Sequence, residues 1–176
     1  MAEEKTMPCC GAEAADKNIR IDFLYLDLNS CERCGNTSAE LDNAVSELHG
    51  VLDTLGFTLS VNKAQISTPE LAEQYHFMSS PTIRVNGKDI CADVQENACA
   101  DCGDLCGSDV ECRVFEYEGK EYDAPPKAMI MDSVLKAIYQ TPTCDCVPYA
   151  MPDNLKTFFA GKQAGGCVAG GCCCEE

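Results

Sequence analysis

The stretch IRIDFLYLDLNSCERCGNTSAELDN, residues 19–43, decides the fold. Its opening run, Ile19 to Leu28, is rich in branched and aromatic residues, too short for a typical helix, and bounded by Asn29 and Ser30. That pattern predicts a central strand. The thiol pair Cys31 and Cys34 follows directly. An amphipathic helix comes next, with Leu41, Val45, Leu48, Leu52 and Leu55 at i, i+4, i+7, i+11 and i+14 and Gly56 as its stop. Thr37 and Glu40 also form a capping box, which would start the helix after Gly35-Asn36 and leave Cys34 in a loop.

Downstream, FTLSVNKAQIS alternates as a strand, and Pro69 to Tyr75 reads as a short helix with proline in its first turn. Ser79-Ser80 leads into Pro81. Thr82 to Val85 and Lys88 to Ile90 flank Asn86-Gly87, whose tolerance of positive φ predicts a type I′ hairpin. The order to this point is βαβαββ. A cysteine-rich insertion, residues 91–112, precedes what reads as a second hairpin, RVFEYEGKEYD, turning at Glu118-Gly119. Pro125-Pro126 then opens a helix to about Tyr139, with Ile130, Val134, Leu135 and Ile138 on one face. Asp153 to Phe159 reads as a short docking helix, and GKQAGGCVAGGCCCEE as a glycine-loosened tail.

The expected organisation is a flexible leader at 1–18, a domain at 19–140 and a C-terminal extension at 141–176. At 176 residues, one ordinary domain with tails or an insertion is the economical reading. Thirteen basic against 29 acidic residues give a net charge of −16, which repels nucleic acid instead of neutralising it. No run approaches the roughly 20 apolar residues needed to span a bilayer, and the acidic leader lacks a signal peptide's basic start and apolar stretch. The expectation is a cytoplasmic protein with no membrane and no nucleic-acid partner.

Fifteen cysteines in a reducing compartment point to metal binding or redox chemistry more than to a disulfide framework. An unpaired N–H array at a helix start stabilises a thiolate, so Cys31 is the candidate nucleophile and Cys34 the resolving thiol. Arg33 adds a positive charge nearby and Glu32 opposes it. A loop-borne pair, as the capping box allows, suits half of a soft-metal site better. Asp27, at the strand's end, is a candidate to assist proton transfer. His49 and His76 form no metal constellation with other residues of the sequence.

The order strand, CxxC, amphipathic helix, short helix, proline and NG hairpin resembles the thioredoxin fold, over residues 19–94 and 125–140. SSPTIRVNG occupies the place of that family's cis-proline, Pro81. The resemblance implies an α/β fold, βαβαββα, with a Cys-rich insertion before the last helix and flexible Cys-bearing tails. It implies thiol-disulfide oxidoreductase chemistry on Cys31 and Cys34, with backbone beside Pro81 exposed for an extended peptide to pair with. The spacer is Glu-Arg where thioredoxin itself has Gly-Pro, and the chain has no tryptophan. More narrowly, CERCGNT and CGDLCGSDVECRVFEYEGKEYDAPPKAMI resemble the uncharacterised domain-of-unknown-function family 2703.

The insertion offers Cys99, Cys102, Cys106 and Cys112, four potential thiolates for a structural tetrahedral zinc. Two structural disulfides are the competing reading, and Cys91, Cys144 or Cys146 can replace any member. The tail triplet Cys172, Cys173 and Cys174 can reach a soft ion, Zn, Cu(I), As(III) or Hg(II), or can shuttle electrons to Cys31 and Cys34. A tail without function is the third option. The expected partners are protein thiols or disulfides, or a soft metal ion, with no organic cofactor. Two function classes follow: an oxidoreductase-like protein first, and a thiolate metal-binding or delivery protein as the alternative. Redox activity predicts Cys31 at a helix terminus, and metal handling predicts thiols from separate segments converging on one point.

Overall fold

The computed structural model describes residues 17–91, 93–139 and 148–165. Cys9, Cys10, Cys144, Cys146, Cys167 and Cys172 to Cys174 lie outside the described residues. The fold is mixed α/β. Its first sheet has the order β2-β1-β3-β4. Strand β1 (Asn18–Tyr25) runs parallel to β2 (Thr58–Gln65), in register from Asn18 opposite Thr58 to Tyr25 opposite Gln65. On its other side β1 pairs antiparallel with β3 (Thr82–Val85), and β3 with β4 (Lys88–Asp89). The β3–β4 turn at Asn86 (φ 51°) and Gly87 (φ 81°) has the two positive φ values that the NG pair predicts.

Helix α1 (Glu32–Leu55) follows β1, and Gly56 closes it with φ 77°, its N–H bonded to the carbonyls of Leu52 and Asp53. The helix begins earlier than the capping box predicts. Gly35 N–H already bonds the Cys31 carbonyl at 3.0 Å, so Cys31 is the N-cap and Cys34 lies in the first turn. Thr37 is buried inside the helix with its hydroxyl unpartnered, and Glu40 instead accepts from the Lys127 N–H. Helix α2 (Pro69–Gln74) is capped by Thr68, whose hydroxyl accepts from Leu71 N–H.

The insertion and the second hairpin combine into a three-stranded sheet, β5 (Gln95–Ala98), β6 (Glu111–Tyr117) and β7 (Lys120–Tyr122), in the order β5-β6-β7. A helix, α3 (Ala100–Cys106), bridges β5 and β6. Helix α4 (Lys127–Tyr139) packs on α1, and α5 (Asp153–Gly165) packs on α3. Helix α5 runs six residues past Phe159, into the stretch expected to be tail. The close approach explains a glycine inside it, since a Cβ on Gly161 would run into the Cys106 carbonyl. Among the described residues no helix is long and apolar enough to cross a membrane.

The period of two along β1 splits the core. Ile19, Ile21 and Phe23 face α1 and α4, where Leu41, Leu48 and Val134 complete an aliphatic cluster. Val45 is only half-buried in that cluster, and Leu55 stays exposed. Leu24, and Leu26 just beyond the strand, belong to a second cluster that holds Phe77, Phe158 and six cysteines.

Candidate thiol and metal centre

The site grows from two short segments brought together at the carboxyl end of β1. After that strand, the Asp27 carboxylate accepts from the N–H groups of Asn29 and Ser30 at 2.8 Å each, and the turn delivers Cys31 to the N-cap of α1. Asp27 is therefore occupied in fastening a loop. In the second segment, Cys99 N–H bonds the Val110 carbonyl at 3.0 Å, and Cys112 on β6 sits opposite Asn97 on β5. This ladder brings Cys99 and Cys112 together. Cys102, in the first turn of α3, folds back to the same side.

The two residues between Cys31 and Cys34 dock one segment on the other. Glu32 N–H donates to the Asp101 carboxylate at 2.8 Å. The Arg33 guanidinium donates to the carbonyls of Cys112 and Ala98 at 3.2 Å and pairs with Asp123 at 3.1 Å. As a result the sulfurs of Cys31, Cys99, Cys102 and Cys112, all buried, lie within 4.8 Å of one another, with Cys102 and Cys112 at 3.3 Å. All seven described cysteines are free thiols.

The outcome differs from the expected grouping in one member: Cys31 stands where Cys106 was expected. The Cys106 thiol turns away and donates to the carbonyls of Gly103 and Ser108. Cys91 packs with Phe115 and Met129 as a small apolar residue. Cys34 is a fifth thiol at the margin of the four, 3.4 Å from the Ser80 hydroxyl, which also accepts from Leu26 N–H. His49 is on the surface beside Asp53, and His76 stacks on Tyr149.

The electrostatics follow from crowding. Thiol hydrogen bonds from Cys102, Cys112, Cys34 and Cys99 pull the Cys31 pKa far below its ordinary value, against burial. Cys99 is lowered to about 7, chiefly by bonds with Cys102 and Cys112. Cys34 is pushed up by its bond to Cys31, by burial and by the Cys31 charge. Cys112 is pushed up by Cys102, Cys31 and Cys99. For Cys102 the bond with Cys112 acts downward, but those with Cys31 and Cys99, with burial, prevail. Without a cation, Cys31 and Cys99 are held below the ordinary thiol value and Cys34, Cys102 and Cys112 above it. A soft divalent cation bonded to all four sulfurs would favour their thiolate forms by offsetting two of the four negative charges.

The peptide bond Ser80-Pro81 is cis, as the resemblance implies. The expected open backbone beside it is not there. Arg113 N–H on β6 bonds the Ser80 carbonyl at 2.7 Å, and Pro81 is buried. The fully buried Arg113 side chain holds the strand in place, giving a two-pronged pair to Asp89 at 2.7 and 2.8 Å and a bond to the Thr82 hydroxyl. The chain's own β6 thus occupies that edge.

Residues 19–134 match the family described as Domain of unknown function (DUF2703), a span containing Cys31, Cys34, Pro81, Cys99, Cys102 and Cys112. The chain belongs to the DUF2703 family. A relative from Archaeoglobus fulgidus named "Uncharacterized protein" is 33% identical over 106 residues, covering 57% of this chain and 73% of its own length. No solved structure matches the chain. The DUF2703 span ends inside α4, so α5, whose Leu155, Phe158 and Phe159 join the thiol-lined core, lies beyond it. Sequence reasoning missed that Cys31 would join the insertion's thiols. A signal was present in Cys99-x2-Cys102, half of a four-thiolate pattern whose spacing recurs in Cys31-x2-Cys34, although only Cys31 of that pair joins the set.

Proposed function

We propose that this chain is a thiolate metal protein holding one tetrahedral soft ion, zinc in the first instance, on Cys31, Cys99, Cys102 and Cys112. The observation that carries it is the convergence of four buried thiols from α1, α3 and β6 to within 4.8 Å. Zinc–sulfur bonds of ~2.3 Å in a tetrahedron require sulfurs ~3.8 Å apart, so the nest needs only small adjustments to close on an ion. The setting is thioredoxin-like in the order of its strands, with the insertion folded over the CxxC as a lid. The tail thiols Cys172 to Cys174 serve as capture ligands. From Gly165, the last residue of α5, seven residues reach Cys172, a span of up to ~24 Å.

The deciding experiment is metal analysis and native mass spectrometry of protein purified anaerobically from a reducing host. The expected result is one ion per chain, lost in Cys112→Ser and retained in Cys106→Ser. A chain without metal, or loss in Cys106→Ser alone, would refute the assignment.

Thiol-disulfide exchange on Cys31 and Cys34 is the second reading, favoured by Cys31 at the N-cap of α1 with its pKa lowered. Against a protein substrate stand the 1% and 0% exposures of Cys31 and Cys34 and the β6 bond to Ser80. In this reading, Cys34→Ser traps mixed disulfides and Cys31→Ser does not.

A further inference from the structure

The sulfurs of the metal set and those of the CxxC pair intersect at a single residue, Cys31. A tetrahedral ion takes four thiolates, yet five thiols share this pocket. Cys34 is outside the set of four, fully buried, and hydrogen-bonded to Cys31 within the first turn of α1. Residues i and i+3 lie on one face of that turn, so Cys31 is within disulfide reach of Cys34, and the Cys31 thiol also bonds Cys102 and Cys112. The Cys34 thiol also meets the Ser80 hydroxyl at 3.4 Å and the Asp27 backbone, and it stands outside the four sulfurs that would hold the ion.

We propose that oxidation joins Cys31 to Cys34 and thereby expels the metal ion, so that the site couples metal release to a small thiol oxidant such as a peroxide. This rests on the metal reading of Cys31, Cys99, Cys102 and Cys112. In the reaction, one peroxide oxygen is transferred to the Cys31 sulfur as the peroxide O–O bond and the metal–Cys31 bond break, giving sulfenic acid and hydroxide. The Cys34 sulfur then displaces the sulfenic oxygen, which leaves as water with the Cys34 proton. Two electrons have moved from the sulfur pair to peroxide, and the products are a disulfide, water and hydroxide. The ion keeps three thiolates and loses the fourth. Cys99 lines an open groove of about 1040 Å3 bordered by Asp104, Asp109, Glu111 and Asp153, an acidic way out for a cation. A dithiol reductant reverses the change by returning two electrons and two protons to the pair.

The test uses the full chain loaded with zinc and exposed to hydrogen peroxide under otherwise anaerobic conditions. Zinc release is followed with a chromogenic chelator, and disulfides are mapped by mass spectrometry. Wild type should release its ion as a Cys31–Cys34 disulfide accumulates. Cys34→Ser should load one ion and release it on the order of tenfold more slowly. Equal release rates, or disulfides mapped only among Cys99, Cys102 and Cys112, overturn the proposal and leave the metal reading standing. If both Cys34→Ser and Cys34→Ala fail to load zinc while remaining folded, Cys34 is a ligand and the switch is again overturned. A wild-type chain that takes up no zinc brings down the metal reading itself, and the switch with it.

Discussion

The two faces of β1 build two different interiors. On one, Ile19, Ile21 and Phe23 meet Leu41, Leu48 and Val134 in an aliphatic cluster carried by a 24-residue helix and an eight-residue parallel pair of strands. On the other, six cysteines share the interior with Leu24, Leu26, Phe77 and Phe158. The insertion's elements that carry cysteines into it are short: seven residues in α3 and seven in β6. The first interior is closed by burial of apolar surface, each large side chain contributing about 1.5–3 kcal/mol. A helix of seven residues has no stability of its own, since isolated helices are marginal below about 12–15 residues. The thiol half therefore depends on its contacts with Arg33 and α5 and on whatever binds its sulfurs.

The largest expected effect breaks the two halves apart. Structural zinc contributes about 10–16 kcal/mol in small zinc-dependent peptides, far more than any single contact in this chain. Stripping the ion with a chelator should abolish amide-exchange protection in β5, α3 and the start of β6, while β1, β2 and the body of α1 keep theirs. Hydrogen-exchange mass spectrometry before and after chelation reads this directly. Uniform loss across both interiors would mean that they form one cooperative unit.

Next in size is the converse experiment. Leu48 is almost wholly buried and belongs to the aliphatic cluster, not to the thiol-lined one. Leu48→Ala should lower unfolding stability by about 2–5 kcal/mol through lost burial and a residual cavity, yet leave metal stoichiometry at one. Denaturant titration and metal analysis on the same preparation give both numbers. A variant that also loses its ion would show that the aliphatic half shapes the site.

The contrast also marks how far the sequence could be read. Strands β1, β2 and β3, the NG hairpin, α2 and α4 follow from period-two or helical patterning and from turn residues, all local signals. The start of α1 was ambiguous because Thr37 and Glu40 imitate a capping box, and the docking of Asp101 and Ala98 onto Glu32 and Arg33 decides for the earlier start. Such contacts across more than sixty residues leave no periodicity. For the same reason the sequence pairs Cys31 with Cys34, as a redox couple or as half of a soft-metal site, and groups Cys106 with the insertion's ligands by proximity. A spacer of five residues between Cys106 and Cys112 does not reveal that the Cys106 thiol is spent on the carbonyls closing its own helix. The full length of α5 was hidden by glycines, one of which is demanded by its contact with Cys106.

Arg33 tests the boundary between the two halves, with the smallest effect of the three. Its backbone belongs to α1, but its guanidinium, with only 15% of the side chain exposed, serves β5 and β6 through the carbonyls of Ala98 and Cys112. Its pairing with Asp123 faces solvent, since the Asp123 side chain is 66% exposed. Exposed pairs of this kind contribute about 0–1 kcal/mol, whereas hydrogen bonds from a charged donor contribute about 1.5–3 kcal/mol. Of the two from Arg33, the bond to Cys112 is part-buried and that to Ala98 exposed. Arg33→Ala should thus destabilise the metal-loaded chain by about 1–2 kcal/mol, at the low end because both bonds are long. Asp123→Asn should change it by no more than about 0.5 kcal/mol. Arg33→Lys should recover less than half, because a point ammonium cannot reach two carbonyls as a planar fork does. Denaturant melts of the three variants rank the contributions. If Asp123→Asn costs as much as Arg33→Ala, the ion pair is what joins the halves. If neither costs anything, the thiol half is held to α1 by its sulfurs alone.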